Sequence, residues 1–399
     1  MKKFAVLFLW IYIASSIYSN AATPQKVYSI ANENRNAEWY REQMDAWKKV
    51  LDKNKNNPEA WQYYFTASRM LINCTPAKTN EEIVNNTKRT ENLLKDMKKA
   101  VPNSFEYYYC KAWNLVGTEK ADSEGFEALS KAAEIDPSRT ELISFFVIHY
   151  EKIQDLQNRK KYNEKWYNSN TVSPILKYFA YNMLESVEDN AIIITSGDND
   201  SYPLWMLQDA ENIKPGVVVL NYNLMMIDSY RDKIFKSLNM PKLELVENDF
   251  NPGENYFKMP AIQKILQHIM KKSHRPVYFS NTDQPELYSD YNDKLYLTGL
   301  TFKYSEKSID NIAILRNNFE NVFQLDYLKH YLYYEPYSSA SYFINMTYIP
   351  ALIKLYQHYK VCNDNHNMLK IRKIVESIYE ISKKIDENGF DKDLMKNFE

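Results

Sequence analysis

The stretch Gly125-Phe126-Glu127-Ala128-Leu129-Ser130-Lys131-Ala132-Ala133-Glu134-Ile135-Asp136-Pro137 decides how the first half of the chain is read. Phe126, Leu129 and Ala133 recur at i, i+3 and i+7, the spacing that lines one face of an α-helix. Pro137 ends that helix, because proline lacks an amide donor and its ring clashes with the preceding turn. Small alanines between the larger apolar residues let a second helix approach closely.

The same layout of helix, short polar turn with proline, and aromatic-rich helix occurs twice more upstream. Its turns are Asn56-Asn57-Pro58 and Val101-Pro102-Asn103. Trp61, Tyr64, Phe65, Ser68 and Ile72 share one face after Pro58, and Phe105, Tyr108, Tyr109, Ala112, Trp113 and Val116 share one after Pro102. Leu93, Leu94, Met97, Ala100 and Val101 stripe the helix between them. Pro102 and Pro137 are 35 residues apart, close to the period of about 34 of tetratricopeptide repeats. The 44 residues from Pro58 to Pro102 imply an insertion around Pro76 to Asn80. Gly125 to Pro137 closely resembles the second helix and closing turn of a tetratricopeptide repeat. With helices over Ala37 to Leu51 and Leu142 to Leu156, about three helix pairs are expected over 35–170, since fewer than about three such units rarely bury a continuous core. An unrelated helical bundle is the alternative. His149 lies on an apolar face and reads as a packed histidine rather than a ligand.

Length and composition bound the rest. A chain of 399 residues is long enough for two domains and a helical tail. Its 7 glycines include Gly197, Gly216, Gly253 and Gly299, each standing alone. Phosphate cradles need glycines clustered at fixed spacing, so a P-loop is excluded and a dinucleotide fingerprint is not expected. Lys2 and Lys3, apolar Phe4 to Ile17, and small residues ending at Ala21 read as a secretory signal over 1–21, cleaved after Ala21. That apolar run is shorter than the ~20 residues of a membrane span. A periplasmic or secreted chain is expected, and losing Lys2 and Lys3 with the signal would take the net charge from −1 to −3, 48 basic against 51 acidic residues, which gives no general attraction to nucleic acid. Cys74, Cys110 and Cys362 are too few for a disulfide framework; a single Cys74–Cys110 bridge and plain buried thiols both remain open.

From 175 to 325 the pattern becomes α/β. Ala191 to Ser196, Val217 to Tyr222, Pro276 to Asn281 and Leu295 to Tyr304 read as four strands alternating with helices. The short β-branched run Ile192-Ile193-Ile194 suits a strand buried on both faces. Helices return over 326–399, where Pro350 should kink or bound the first, and Ile371, Ile374, Val375, Ile378 and Ile385 stripe another. The expected fold is therefore tetratricopeptide-like helical repeats, then an open, mostly parallel α/β sheet domain, then a C-terminal helical segment.

Thr195-Ser196-Gly197-Asp198-Asn199-Asp200-Ser201-Tyr202-Pro203-Leu204-Trp205 resembles a stretch in the soluble C-terminal region of Bacteroidetes membrane proteins of the protein O-mannosyltransferase-like type. Val217 to Asn221 and Leu297 to Tyr304 resemble the same region in the same order, so the likeness spans about 175–390. This chain lacks the multi-helix membrane part that would carry transferase catalysis. The resemblance thus implies a shared extracytoplasmic module and, by analogy alone, a role assisting envelope glycosylation.

The acidic loop sits where open α/β sheets gather ligands, at the carboxyl end of a strand. In the structural reading Gly197 permits a tight turn, Asp200 or Ser201 caps the next helix, and Pro203 suits its first turn. In the functional reading Asp198, Asn199, Asp200, Ser201 and Asn221 line a ligand site, with Asp198 and Asp200 holding calcium or magnesium. Otherwise no cofactor is expected, and no complete catalytic constellation emerges: the six histidines form no i, i+4 pair and no cysteine stands near a base. Tyr327 to Tyr342 reads as a packed connector rather than a sugar-stacking platform. The leading expectation is a non-catalytic periplasmic or secreted scaffold that binds a protein partner through the concave side of its repeats, with an envelope or membrane-protein complex as one setting. The alternative is a metal-dependent enzyme or a glycan-binding accessory using residues 197–200.

Overall fold

The computed structural model describes residues 22–75, 79–118, 120–251, 253, 256–332, 338–385 and 392–398. The signal at 1–21 lies outside them, as do Pro76 to Lys78 in the expected insertion. Two compact units emerge: the described residues up to Val27 with Arg35–Cys110, and Tyr28–Asn34 with the described residues from Lys111 onward.

The first unit is helical. Helices α1 (Ala37–Lys53), α2 (Pro58–Cys74) and α3 (Asn80–Ala100) are followed by α4 (Phe105–Leu115), inside which the division between units falls. Each start has a sequence cause. Asn36 and Asn57 accept from the amides of Trp39 and Ala60, and Thr79 with Glu82 closes a reciprocal capping box. Antiparallel α1 and α2 bury Tyr40, Ala46, Leu51, Ala60, Phe65 and Ala67. Cys74 and Cys110 are free thiols, which closes the question of a bridge.

The second unit opens with α5 (Phe126–Ile135), α6 (Ile143–Ile153) and α7 (Leu156–Asn168). His149 stacks on Phe126 with ring centroids 3.9 Å apart; burial pushes its imidazole pKa down and the Asp122 carboxylate, 3.5 Å from Nδ1, pulls back. The α/β part then runs α8 (Pro174–Glu185), β1 (Ile192–Thr195), α9 (Tyr202–Glu211), β2 (Val218–Asn221), α10 (Tyr222–Met225), α11 (Asp228–Ser237), α12 (Pro260–Lys272), β3 (Val277–Ser280), β4 (Leu295–Leu297), β5 (Thr301–Tyr304) and α13 (Asn311–Asn317). The strand order is β2-β1-β3-β5-β4. β1 pairs in parallel with β2 and β3, while β5 is antiparallel to both β3 and β4. The sheet is thus mixed: four strands point one way and β5 runs against them.

The segment read as one strand from Leu295 to Tyr304 is a hairpin. Gly299 turns the chain at φ +137°, a conformation an L side chain rarely adopts. Central β1 is sealed, with Ile192, Ile193 and Ile194 at most 1% exposed. Such burial contributes roughly 1.5–3 kcal/mol per side chain.

α14 (Ser338–Asn345), α15 (Ile349–Val361) and α16 (Asn365–Ile385) complete the same core. Pro350 stands in the first turn of α15, and Ile371, Ile374, Val375 and Ile378 are buried as their spacing implies. α14 packs on α8 and α15 on α13. Asn182 of α8 ties the parts together: its Nδ2 donates to the Tyr348 hydroxyl (2.7 Å) and the Gln324 carbonyl (3.1 Å), while its Oδ1 accepts from the Gln324 amide (2.8 Å). Buried Tyr327 and Tyr342 behave as packing residues; 333–337 lie outside the described residues.

Candidate functional site

Three polar runs leave the carboxyl ends of β1, β3 and β2: Ser196 to Asp200, Asn281 to Asp283, and Asn221 to Asn223. Because β1 lies between β2 and β3, the chain departs β1 toward one neighbour and later returns on the other. That switch in direction opens the crevice where α/β sheets take ligands.

Asp200 is the keystone of the β1 loop. It is 3% exposed. Its Oδ1 accepts from the Gly197 amide (2.7 Å), and its Oδ2 from the Ser196 amide (3.2 Å) and the Thr282 hydroxyl (2.6 Å). Burial pushes its carboxyl pKa upward, and those donors, Thr282 first, recover only part of the rise. Ser201 is buried, its Oγ 2.7 Å from Thr195 Oγ1. Asn221 Nδ2 donates to Ser201 Oγ (3.0 Å) and to the Ser196 carbonyl (3.2 Å), and Asn223 Nδ2 donates to that same carbonyl (2.8 Å). Asn199 Nδ2 reaches the carbonyl of Ala31 (2.8 Å).

Asp200, Ser201 and Asn221 therefore converge, while Asn199 is engaged by the N-terminal segment. Asp198 stands apart as an exposed residue. Crowded surroundings push its carboxyl upward, the Tyr202 hydroxyl pulls back, and the charge of Asp200 adds a smaller rise. Its exposure governs, since water reaches the group and weakens the effect.

Two expectations need correction. Neither acid nor hydroxyl caps α9: Ser201, at the N-cap, makes no side-chain capping bond, and the Asp200 carboxylate folds back onto the loop amides. Only Pro203 takes its expected place in the first turn. A cysteine does stand beside a base, since Cys362 Sγ lies 3.7 Å from His358 Nε2 at an exposed helix end. The i, i+4 spacing stacks the Cys362 thiol, at the C-cap of α15, over His358 in its last turn.

Sequence reasoning missed Thr282 and Asp283. Asp283 is 4% exposed, and neither of its carboxyl oxygens has a hydrogen-bond partner. Burial pushes its pKa well up, the charge of Asp200 adds to that, and the nearby Ser196 hydroxyl pulls back without reaching hydrogen-bond geometry. Burial and then Asp283 also raise the Tyr222 and Tyr288 hydroxyls, Tyr288 to about 12. The signal was present, since Asn281-Thr282-Asp283 follows its strand as the acidic loop follows β1. Among the described residues, no three or more His, Cys, Asp or Glu cluster so as to hold a metal ion. No helix among them is long and apolar enough to cross a membrane.

The family described as TMEM260-associated domain 2 matches residues 176–259, from α8 through strands β1 and β2 and helix α11 to the residue before α12. That span lies within the region resembling the O-mannosyltransferase-like proteins and fits that likeness. No curated protein matches the chain. Among solved structures, a thermophilic TPR protein of Thermus thermophilus is 12% identical over 33% of this chain and 66% of its own, with a TM-score of 0.29. A chain of the Naa15/Naa10 complex bound to HypK-THB is 11% identical over 89% of this chain and 62% of its own, with a TM-score of 0.24. The chain spans under two thirds of either. The helical reading rests on the helices described above.

Proposed function

We propose that this chain is an extracytoplasmic interaction protein that holds a protein partner on its helical hairpins. The observation that carries this reading is the open first half of α3. Residues 81–85 are all exposed, with Ile83 at 53% and Val84 at 48%, whereas Thr90 and Met97 in the second half are buried. A helix that begins without a core beneath it and carries adjacent apolar side chains has surface to give to another chain. The signal read at the N-terminus supports a periplasmic or secreted location, with partners among envelope or membrane-protein complexes. The α/β module would sit beside such a complex, and a glycan is the small ligand suggested by its family likeness.

Crosslinking in intact cells of the native host, then purification and mass spectrometry, tests the reading. One reproducible partner, lost in an Ile83→Asp/Val84→Asp variant that still folds, is expected. Recovery of the chain alone overturns it.

A further inference from the structure

A second piece of chemistry, independent of the partner, arises at the ends of β1 and β3. Asp200 and Asp283 are both buried, and each raises the question of what balances its charge. Asp283 accepts no hydrogen bond, and those Asp200 accepts come from two amides and two hydroxyls, none from Lys or Arg. Asp283 presents two oxygens with no hydrogen-bond donor, and such a group costs several kcal/mol to bury unless something meets it. Asp200 accepts four bonds, of which the one from Ser201 Oγ is long (3.4 Å) and is the one a cation would displace. Thr282 joins the two, since it bonds Asp200 and precedes Asp283 in the chain. The Ser196 hydroxyl stands near Asp283 as a neutral oxygen donor.

We propose that Asp283 and Asp200 together hold one hard divalent cation, of the calcium or magnesium class, at the β1/β3 switch point. The donor set consists of oxygen alone, with neither imidazole nor thiolate, which selects hard cations over zinc or copper. Two neighbouring carboxylates, linked through Thr282, carry two charges when both are ionised. A proton would neutralise one of them, whereas a divalent ion neutralises both and supplies the ligation that Asp283 lacks. The site differs from a pairing of Asp198 with Asp200, because Asp198 is exposed whereas Asp283 is buried with neither carboxyl oxygen hydrogen-bonded.

The test uses the full chain, freed of metal by chelation. Calcium, magnesium and manganese chloride are titrated separately by calorimetry, with the melting temperature followed in parallel. One ion per chain is expected, and Asp283→Asn should weaken its binding at least tenfold. Removing a buried unpaired carboxyl should also raise the metal-free melting temperature of that variant, so its loss of binding is not a loss of folding. Extracellular modules bind calcium as weakly as about 10⁻³ M. Absence of both heat and stabilisation up to about 10 mM of every salt would overturn the proposal. Undiminished binding in Asp283→Asn would overturn it too, and binding lost in Asp198→Asn instead would overturn it in favour of the outer acid.

Discussion

Replacing Arg159 by Met should loosen the second unit by about 3 kcal/mol. Arg159 Nε and Nη2 make a two-pronged bond to Asp209, each at 2.9 Å, and Nη1 bonds Glu151. The side chains of all three are at most 12% exposed. Removing one member of a buried ion network costs about 3–5 kcal/mol, because the others stay buried as uncompensated charges. The lower end applies here. Glu151 keeps the Tyr230 hydroxyl (2.7 Å) and Gln154 Nε2 (3.0 Å), and Asp209 keeps Asn163 Nδ2 (2.7 Å). An exposed ion pair would yield under about 1 kcal/mol. Met preserves the aliphatic stem, so lost packing contributes little. Urea unfolding followed by tryptophan fluorescence measures the loss, since Trp205 is buried below the Arg159 guanidinium, 6.0 Å from its ring centroid. Adding Glu151→Gln and Asp209→Asn should recover much of it, because neutral amides tolerate the site. A loss below about 1 kcal/mol in Arg159→Met would refute the claim that this network clamps α6 and α7 to α9 and α11.

Gly299→Ala should destabilise by about 1–3 kcal/mol, since its φ of +137° strains any side chain and a Cβ would meet the Phe323 ring at 2.6 Å; an unchanged denaturation midpoint would contradict the hairpin geometry. With metal chelated, Asp283→Asn should stabilise the chain at neutral pH. The sign follows from the direction of its shift: the folded chain keeps a proton that the unfolded chain loses near pH 3.8, so unfolding releases it and stability falls as pH rises above that value. The variant should flatten this fall in a pH series of urea midpoints, and parallel curves for the two proteins would show that Asp283 titrates normally.

Much of this was legible because proline and periodicity act locally. Pro58, Pro102, Pro137 and Pro350 mark helix boundaries by removing one amide, and each boundary falls where that rule puts it. Ile192-Ile193-Ile194 names a central strand because only burial on both faces tolerates three such residues in a row. Gly299 was seen but not read as a turn, since a lone glycine in a strand pattern signals a bulge as readily. The antiparallel placement of β5 had no local signature at all. At the site, Asp200 was found from its own loop, whereas its hydroxyl partner Thr282 lies 82 residues onward and only the sheet order brings them together. The Arg159 clamp is of the same kind, joining residues 50 apart through packing that no spacing encodes.

Whether α3 offers its open face to another protein is tested most directly by a photoreactive amino acid placed at Ile83 and activated in living cells of the native host. One discrete adduct with a single envelope protein is predicted, absent when the same probe replaces buried Met97. Illumination that yields no adduct, or a smear shared equally by both positions, would contradict the interaction role.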